Sequence, residues 1–129
     1  MNYCKDLPSC ICFYCGQLST CRDHIVPVAW LGTYRHNEWS SAWVQSCSEC
    51  NTLLSDCVFD SLPERLEYLK ARLLKRYKKV LSIPEWTPSE LVELEGEILQ
   101  YVVQGQKAKA ILHQRLQFDP YAEMALHVS

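Results

Sequence analysis

Two pairs of cysteines have the spacing of metal ligands. Cys12 and Cys15 form one C-x-x-C pair, and Cys47 and Cys50 form another. A two-residue gap lets both sulfurs of a pair reach one tetrahedral ion, and two pairs supply the four thiolates of a structural Zn²⁺ site. Two alternatives stay open at this point: ordinary buried thiols, or Cys10 in place of Cys12, because C-x-C spacing is also present. The spacing predicts a zinc site.

An acidic residue and a histidine lie side by side between the two cysteine pairs. They are Asp23 and His24. A carboxylate oxygen can bind a hard divalent cation, and a neutral imidazole beside it can accept a proton from water. Adjacent strand residues normally point to opposite faces, so both serve one site only where the strand borders a cleft. Taken alone, His24 could equally be a structural histidine that bonds a loop carbonyl.

The order of these residues resembles the HNH nucleases, in the variant of small phage and bacterial proteins whose ββα-metal hairpin is held by four zinc-binding cysteines. The resemblance covers about residues 10–57: C-x-x-C, then Asp-His-Ile-x-Pro, then C-x-x-C followed by Asn51. It implies a DNA endonuclease in which His24 is the general base. It also implies that Asp23 and Asn51 hold one catalytic Mg²⁺ or Mn²⁺, and that the products carry 5′-phosphate and 3′-hydroxyl ends.

One position departs from the pattern of that family. The middle residue of the motif, usually Asn or His, is Ala42 here, and His36 or Asn37 are candidates to replace it. In the family this residue shapes the hairpin loop through backbone hydrogen bonds. Asn51 has an alternative role as a helix cap or as a left-handed residue after the second cysteine pair. The alternative function is therefore a catalytically inactive zinc-stabilised module that binds DNA or a protein.

The elements that must position these residues divide the chain in two. We expect an α+β fold, with a zinc-stabilised ββα-metal (HNH, treble-clef-like) module over 1–60 and a three-helix extension over 61–129. Residues 24–31 and 42–46 are rich in β-branched and aromatic side chains and predict strands. A short helix should begin at the second cysteine pair, within 47–57.

The extension shows helical periodicity and two helix boundaries. An apolar stripe from Leu62 to Leu81 at steps of three and four predicts an amphipathic helix. Thr87 and Glu90 form a capping box, and Gly105 is placed to end the helix that follows. The three expected helices are a basic helix over 62–81, an acidic helix over 88–103 and a short helix over 106–117.

Charge is unevenly distributed although the net charge is only −2. Seven of the thirteen basic residues lie within 65–79, whereas 85–97 carries glutamates and no basic residue. A cationic helix beside a phosphate-cleaving site favours contact with the DNA backbone, and the alternative is an ordinary solvated face. The expected DNA-binding residues are Arg65, Arg72, Lys75, Arg76 and Lys79. The C-terminal helices are a candidate homo-oligomer interface.

The cellular compartment follows from the cysteines and the N-terminus. All eight cysteines lie in the first 57 residues. The N-terminus lacks the pattern of a signal peptide, and no apolar run approaches the ~20 residues of a membrane span. We therefore expect reduced thiols and a cytoplasmic protein, in a bacterium or a bacterial host cell, without membrane association.

Overall fold

The computed structural model describes residues 2, 4–25 and 42–127. This part of the chain is mixed α and β, with one two-stranded sheet and six helices. The strands are β1 (Cys21–His24) and β2 (Trp43–Ser46). The helices are α1 (Ser48–Leu54), α2 (Leu62–Arg76), α3 (Lys78–Leu81), α4 (Pro88–Leu91), α5 (Gly96–Gln117) and α6 (Pro120–His127). None of the helices described is long and apolar enough to cross a bilayer.

The two strands form an antiparallel hairpin with one buried face. Asp23 pairs with Val44 on the inner face, and His24 pairs with Trp43 on the outer face. This is the alternation expected of a strand with one side against a core. The predicted strand at 42–46 is confirmed over Trp43–Ser46. The structure shows a strand just before the other predicted one (24–31), over Cys21–His24, and residues 26–31 of that prediction lie outside the described residues.

The second cysteine pair begins α1, as predicted. Cys47 is the N-cap, and its Sγ accepts a hydrogen bond from the Cys50 amide at 3.4 Å. Asn51 lies inside this helix, so the alternative of a left-handed conformation for it is wrong. The positive φ follows the helix instead, at Ser55 (φ 48°).

The basic helix 62–81 is found with one interruption. The Ser61 side chain caps α2 by accepting a hydrogen bond from the Glu64 amide at 3.3 Å. The helix is interrupted at Tyr77, and the short helix α3 follows. The apolar stripe faces inward. It joins the inner face of the hairpin, the first cysteine loop and α1 in one hydrophobic core, whose most buried leucines are Leu54, Leu69 and Leu73.

The two later helices differ from the prediction. The capping box at Thr87 is present but begins only the four-residue α4, and Gly96 then turns the chain with φ 63°. Helix α5 runs through Gly105 without a break. Ile83 lies beside this glycine, where an added Cβ would make only ordinary van der Waals contact, 3.6 Å from Ile83 Cδ1. One glycine inside a helix costs only about 1 kcal/mol relative to alanine, so the helix can continue through it.

Candidate functional site

Four cysteines meet at one point of the core. The sulfurs of Cys12, Cys15, Cys47 and Cys50 all lie within 4.8 Å of one another, and those of Cys15 and Cys47 are 3.8 Å apart. Four ligands at about 2.3 Å from a tetrahedral Zn²⁺ stand about 3.8 Å from each other, so this donor set fits the ion. Cys10 is exposed and outside the cluster. The predicted ligand set is therefore brought together, with Cys12 and not Cys10.

Local backbone geometry sets up each cysteine pair. In the first loop the Tyr14 amide donates to Cys12 Sγ at 3.4 Å, and Gly16 turns the chain with φ 76°. In the second pair, the N-terminus of α1 supplies the Cys50 amide to Cys47 Sγ. Hydrogen bonding with the Cys12 thiol lowers the pKa of Cys47 to about 6. A thiolate at this position is the form that binds a metal.

Asp23 is buried, and both of its carboxylate oxygens accept hydrogen bonds from protein groups. Its side chain is 3 % exposed. Arg65 Nη2 donates to Oδ1 and to Oδ2, both at 3.0 Å, and Arg65 Nε donates to Oδ2 at 3.2 Å. The Tyr14 hydroxyl also donates to Oδ2. Burial raises the pKa of Asp23, and the adjacent guanidinium of Arg65 opposes that rise.

This ion pair changes the interpretation of Arg65. The arginine side chain is 1 % exposed, and its Nη1 also donates to the Cys57 carbonyl at 2.9 Å. A guanidinium in this position cannot reach a DNA backbone, so the assignment of Arg65 to a DNA-binding face is corrected. Its role is to join α2 to the hairpin. Neither this partnership nor the contribution of Tyr14 was predicted from the sequence.

His24 points away from Asp23. It lies on the exposed face of β1, opposite Trp43 in the register. Its imidazole forms no hydrogen bond with any residue that the structure describes, whereas its backbone carbonyl accepts from Arg65 Nη2 at 3.4 Å. The residue is exposed.

Asn51 is half-buried within α1, immediately after the ligand Cys50. Within the described ranges, its side chain forms no hydrogen bond with Asp23 or His24. The predicted pairing of Asp23 and Asn51 around one cation therefore stays a prediction. Ala42 is buried and its carbonyl accepts from the Ile25 amide at 3.1 Å, so the hydrogen bonding between the two chain segments continues to this position. His36 and Asn37 lie outside the described residues.

The remaining basic residues form an exposed surface on α2 and α3. Arg72, Lys75 and Arg76 line a shallow depression of about 390 Å³ beside Leu53 of α1. Lys79 is exposed on α3. Arg76 also pairs with Glu49 at 3.2 Å, so part of its charge is used within the protein. We call Arg72, Lys75, Arg76 and Lys79 the basic surface.

Comparison with known proteins transfers no role to these residues. No protein-family model, no curated protein and no solved structure matches the chain. The function is accordingly inferred from the cysteine cluster, from the surroundings of Asp23 and His24, and from the basic surface.

Proposed function

We propose that the chain is a zinc-stabilised, metal-dependent DNA endonuclease of the HNH type, with His24 as its general base. The observation that supports this most is the exposed imidazole of His24. It stands at the end of β1, in a strand–strand–helix unit whose cysteines are arranged for a metal. A histidine held on a rigid hairpin and open to solvent can accept a proton from an attacking water.

The catalytic cation would be held by oxygen ligands. When bound, a Mg²⁺ or Mn²⁺ ion stabilises negative charge that develops at the scissile phosphate. Asn51 would supply its amide oxygen. Asp23 would supply Oδ1, which accepts only one bond from Arg65 and so keeps a second lone pair, whereas Oδ2 accepts three. Arg65 and Tyr14 would then fix the orientation of that carboxylate.

The products and the other partners follow from the same resemblance. Water activated by His24 would attack the phosphate and leave 5′-phosphate and 3′-hydroxyl ends. Zinc in the cysteine cluster would have a structural role only, because four thiolates leave no open coordination position for a substrate. The basic surface would contact the DNA backbone without reading its sequence.

Replacing His24 by alanine should abolish most plasmid cleavage. Removal of a general base typically costs 10²–10⁴-fold in rate. The measurement is the conversion of supercoiled plasmid to nicked or linear forms in Mg²⁺ or Mn²⁺, with EDTA as the metal-free control. Gln45→Ala is the matched control variant, because Gln45 lies on the neighbouring strand β2 and on the same outer face of the sheet as His24. Equal rates for wild type and His24→Ala would contradict the proposal.

A second candidate function is a zinc-stabilised module that binds nucleic acid without cutting it. The Asp23–Arg65 ion pair favours this candidate, because both carboxylate oxygens of Asp23, an expected cation ligand, already accept hydrogen bonds within the protein. Ala42, in place of the usual Asn or His, points the same way. Binding of a DNA duplex with no cleavage in any divalent cation would favour it over the nuclease.

Both candidates predict that the basic surface carries DNA affinity. The double variant Arg72→Ala, Lys75→Ala should bind a duplex more weakly, because two exposed cations that can neutralise phosphates are removed. The slope of the logarithm of the association constant against the logarithm of the salt concentration should become shallower by about 0.9 for each phosphate that is no longer neutralised. Fluorescence anisotropy over a series of KCl concentrations measures both quantities.

The control for this variant removes the same number of positive charges from a different part of the surface. Lys5 and Lys107 are exposed outside the basic surface, and replacing both by alanine removes the same charge. That control should leave the slope near the wild-type value. An unchanged slope in the Arg72→Ala, Lys75→Ala variant would remove the basic surface from the DNA interface.

A further inference from the structure

The cysteine cluster carries charge that the fold must balance. A Zn²⁺ ion with four thiolates has a net charge of −2, and Cys12 and Cys50 are completely buried. Buried charge is retained in proteins when it is paired or hydrogen-bonded. The groups that contact the sulfurs from outside the cluster therefore belong to the metal centre as much as the ligands do.

Arg115, near the end of α5, is a cation that contacts a ligand sulfur. Its Nη2 lies 3.8 Å from Cys50 Sγ, and its Nη1 lies 2.6 Å from Glu49 Oε1. The side chain is 11 % exposed, and the guanidinium stands over the Tyr77 ring at 6.0 Å. Its Nε is buried, and no residue in the described part of the chain accepts a hydrogen bond from it. Arg115 thus points charge and N–H donors into the surroundings of the cluster.

The end of α5 contacts the first cysteine pair as well. The ring of Phe118 lies directly against Gly16, the residue after Cys15, where an added Cβ would come within 2.6 Å of Phe118 Cδ2. Lys70 of α2 donates to the carbonyls of Arg115 and, at 3.0 Å, of Phe118. These carbonyls lie at the C-terminal end of the helix, where a cation is favourable. The C-terminal end of α5 therefore contacts both cysteine pairs of the cluster.

We propose that Arg115 is a positioning residue of the metal centre, donating N–H to the thiolate of Cys50 and compensating the charge of the metal-bound sulfurs. The proposal rests on the metal site assigned above. An N–H···S bond lowers the electron density on the sulfur, so it slows protonation of the thiolate and its attack by electrophiles. Helix α5 would thus stabilise bound zinc through a residue that lies 65 positions after Cys50 in the chain.

Zinc release measures the proposal directly. Arg115→Met keeps most of the side-chain volume and removes the charge and the donors. Removal of such an outer partner typically weakens metal binding by 10–100-fold. We expect a corresponding increase in zinc transfer to a coloured chelator, with Arg115→Lys intermediate because it keeps the charge. Lys107→Met is the control, since Lys107 is exposed on the same helix. Equal release from wild type and Arg115→Met would overturn the proposal.

The sulfur-to-cobalt charge-transfer band of the Co²⁺-substituted protein separates an electronic role from a packing role. The band should shift in Arg115→Met and Arg115→Lys and stay in place in Lys107→Met. If Arg115→Met does not fold, Arg115→Lys decides, and an unchanged band with unchanged zinc release would overturn the proposal. Wild-type protein that binds neither zinc nor cobalt would overturn the metal site itself. Wild-type binding with unaffected Arg115 variants overturns only the role of Arg115.

Discussion

Replacing Arg65 by methionine should lower the free energy of unfolding of the zinc-bound protein by about 3–5 kcal/mol. The substitution leaves the Asp23 carboxylate 3 % exposed and without its cation. It also removes the donor to the Cys57 carbonyl and the link between α2 and the hairpin. A loss of this size is a large fraction of the roughly 5–15 kcal/mol that typically holds a small domain folded. Urea unfolding followed by circular dichroism measures it.

A matched arginine on the same helix provides the control. Arg72→Met removes an exposed guanidinium and should change stability by no more than about 0.5 kcal/mol. Asp23→Asn should be destabilising for the same reason as Arg65→Met. The double variant should lose less than the sum of the two, because neither charge is then left unpaired. A cost below about 1 kcal/mol for Arg65→Met would contradict the buried ion pair.

Replacing Cys50 by serine should remove the bound zinc and with it the folded hairpin and α1. Cys50 is completely buried and is both a cluster member and the contact of Arg115. Binding free energies of structural zinc in small fingers are about 10–16 kcal/mol, so losing the ion removes most of the stability of a small module. Metal analysis of the purified protein and its thermal unfolding curve give the two measurements.

Cys10 is the matched cysteine for that experiment. It is exposed and lies outside the cluster, although its spacing to Cys12 made it a candidate ligand. Cys10→Ser should therefore keep one zinc per chain and the wild-type unfolding curve. A Cys50→Ser protein that retains zinc and unfolds as the wild type does would exclude the four-cysteine centre. Zinc loss in Cys10→Ser instead would mean that Cys10 is a zinc ligand.

The features that could be predicted well from the sequence are those that local spacing determines. Each C-x-x-C pair places its own two sulfurs within reach of one ion, and Thr87 and Glu90 form their capping box within one turn of chain. The alternation of a strand likewise separates the side chains of Asp23 and His24, as expected for neighbours. Each of these predictions needs only a few consecutive residues.

The features that could not be predicted depend on packing between distant elements. Arg65 was assigned to a DNA-binding face because it lies among other basic residues. It is three residues after Leu62 and four before Leu69, which places it on the apolar stripe of α2. That position was the available signal that the side chain points inward. Its partner Asp23 lies 42 residues earlier, and no spacing rule connects the two.

The C-terminal half shows the same limit. Gly105 predicts a helix end, yet α5 continues through it, because one glycine inside a helix costs only about 1 kcal/mol relative to alanine. Arg115 gives no local indication of its contact with Cys50. It follows Leu112 by three residues on the buried side of α5, so its inward direction was detectable, but its partner was not.

Zinc K-edge X-ray absorption of the protein purified without added metal tests the central claim, a metal centre formed by four cysteines. We predict one zinc per chain, surrounded by four sulfurs at about 2.3 Å and by no nitrogen or oxygen ligand. Protein without stoichiometric zinc, or a zinc ion with nitrogen or oxygen among its ligands, would contradict the four-cysteine centre.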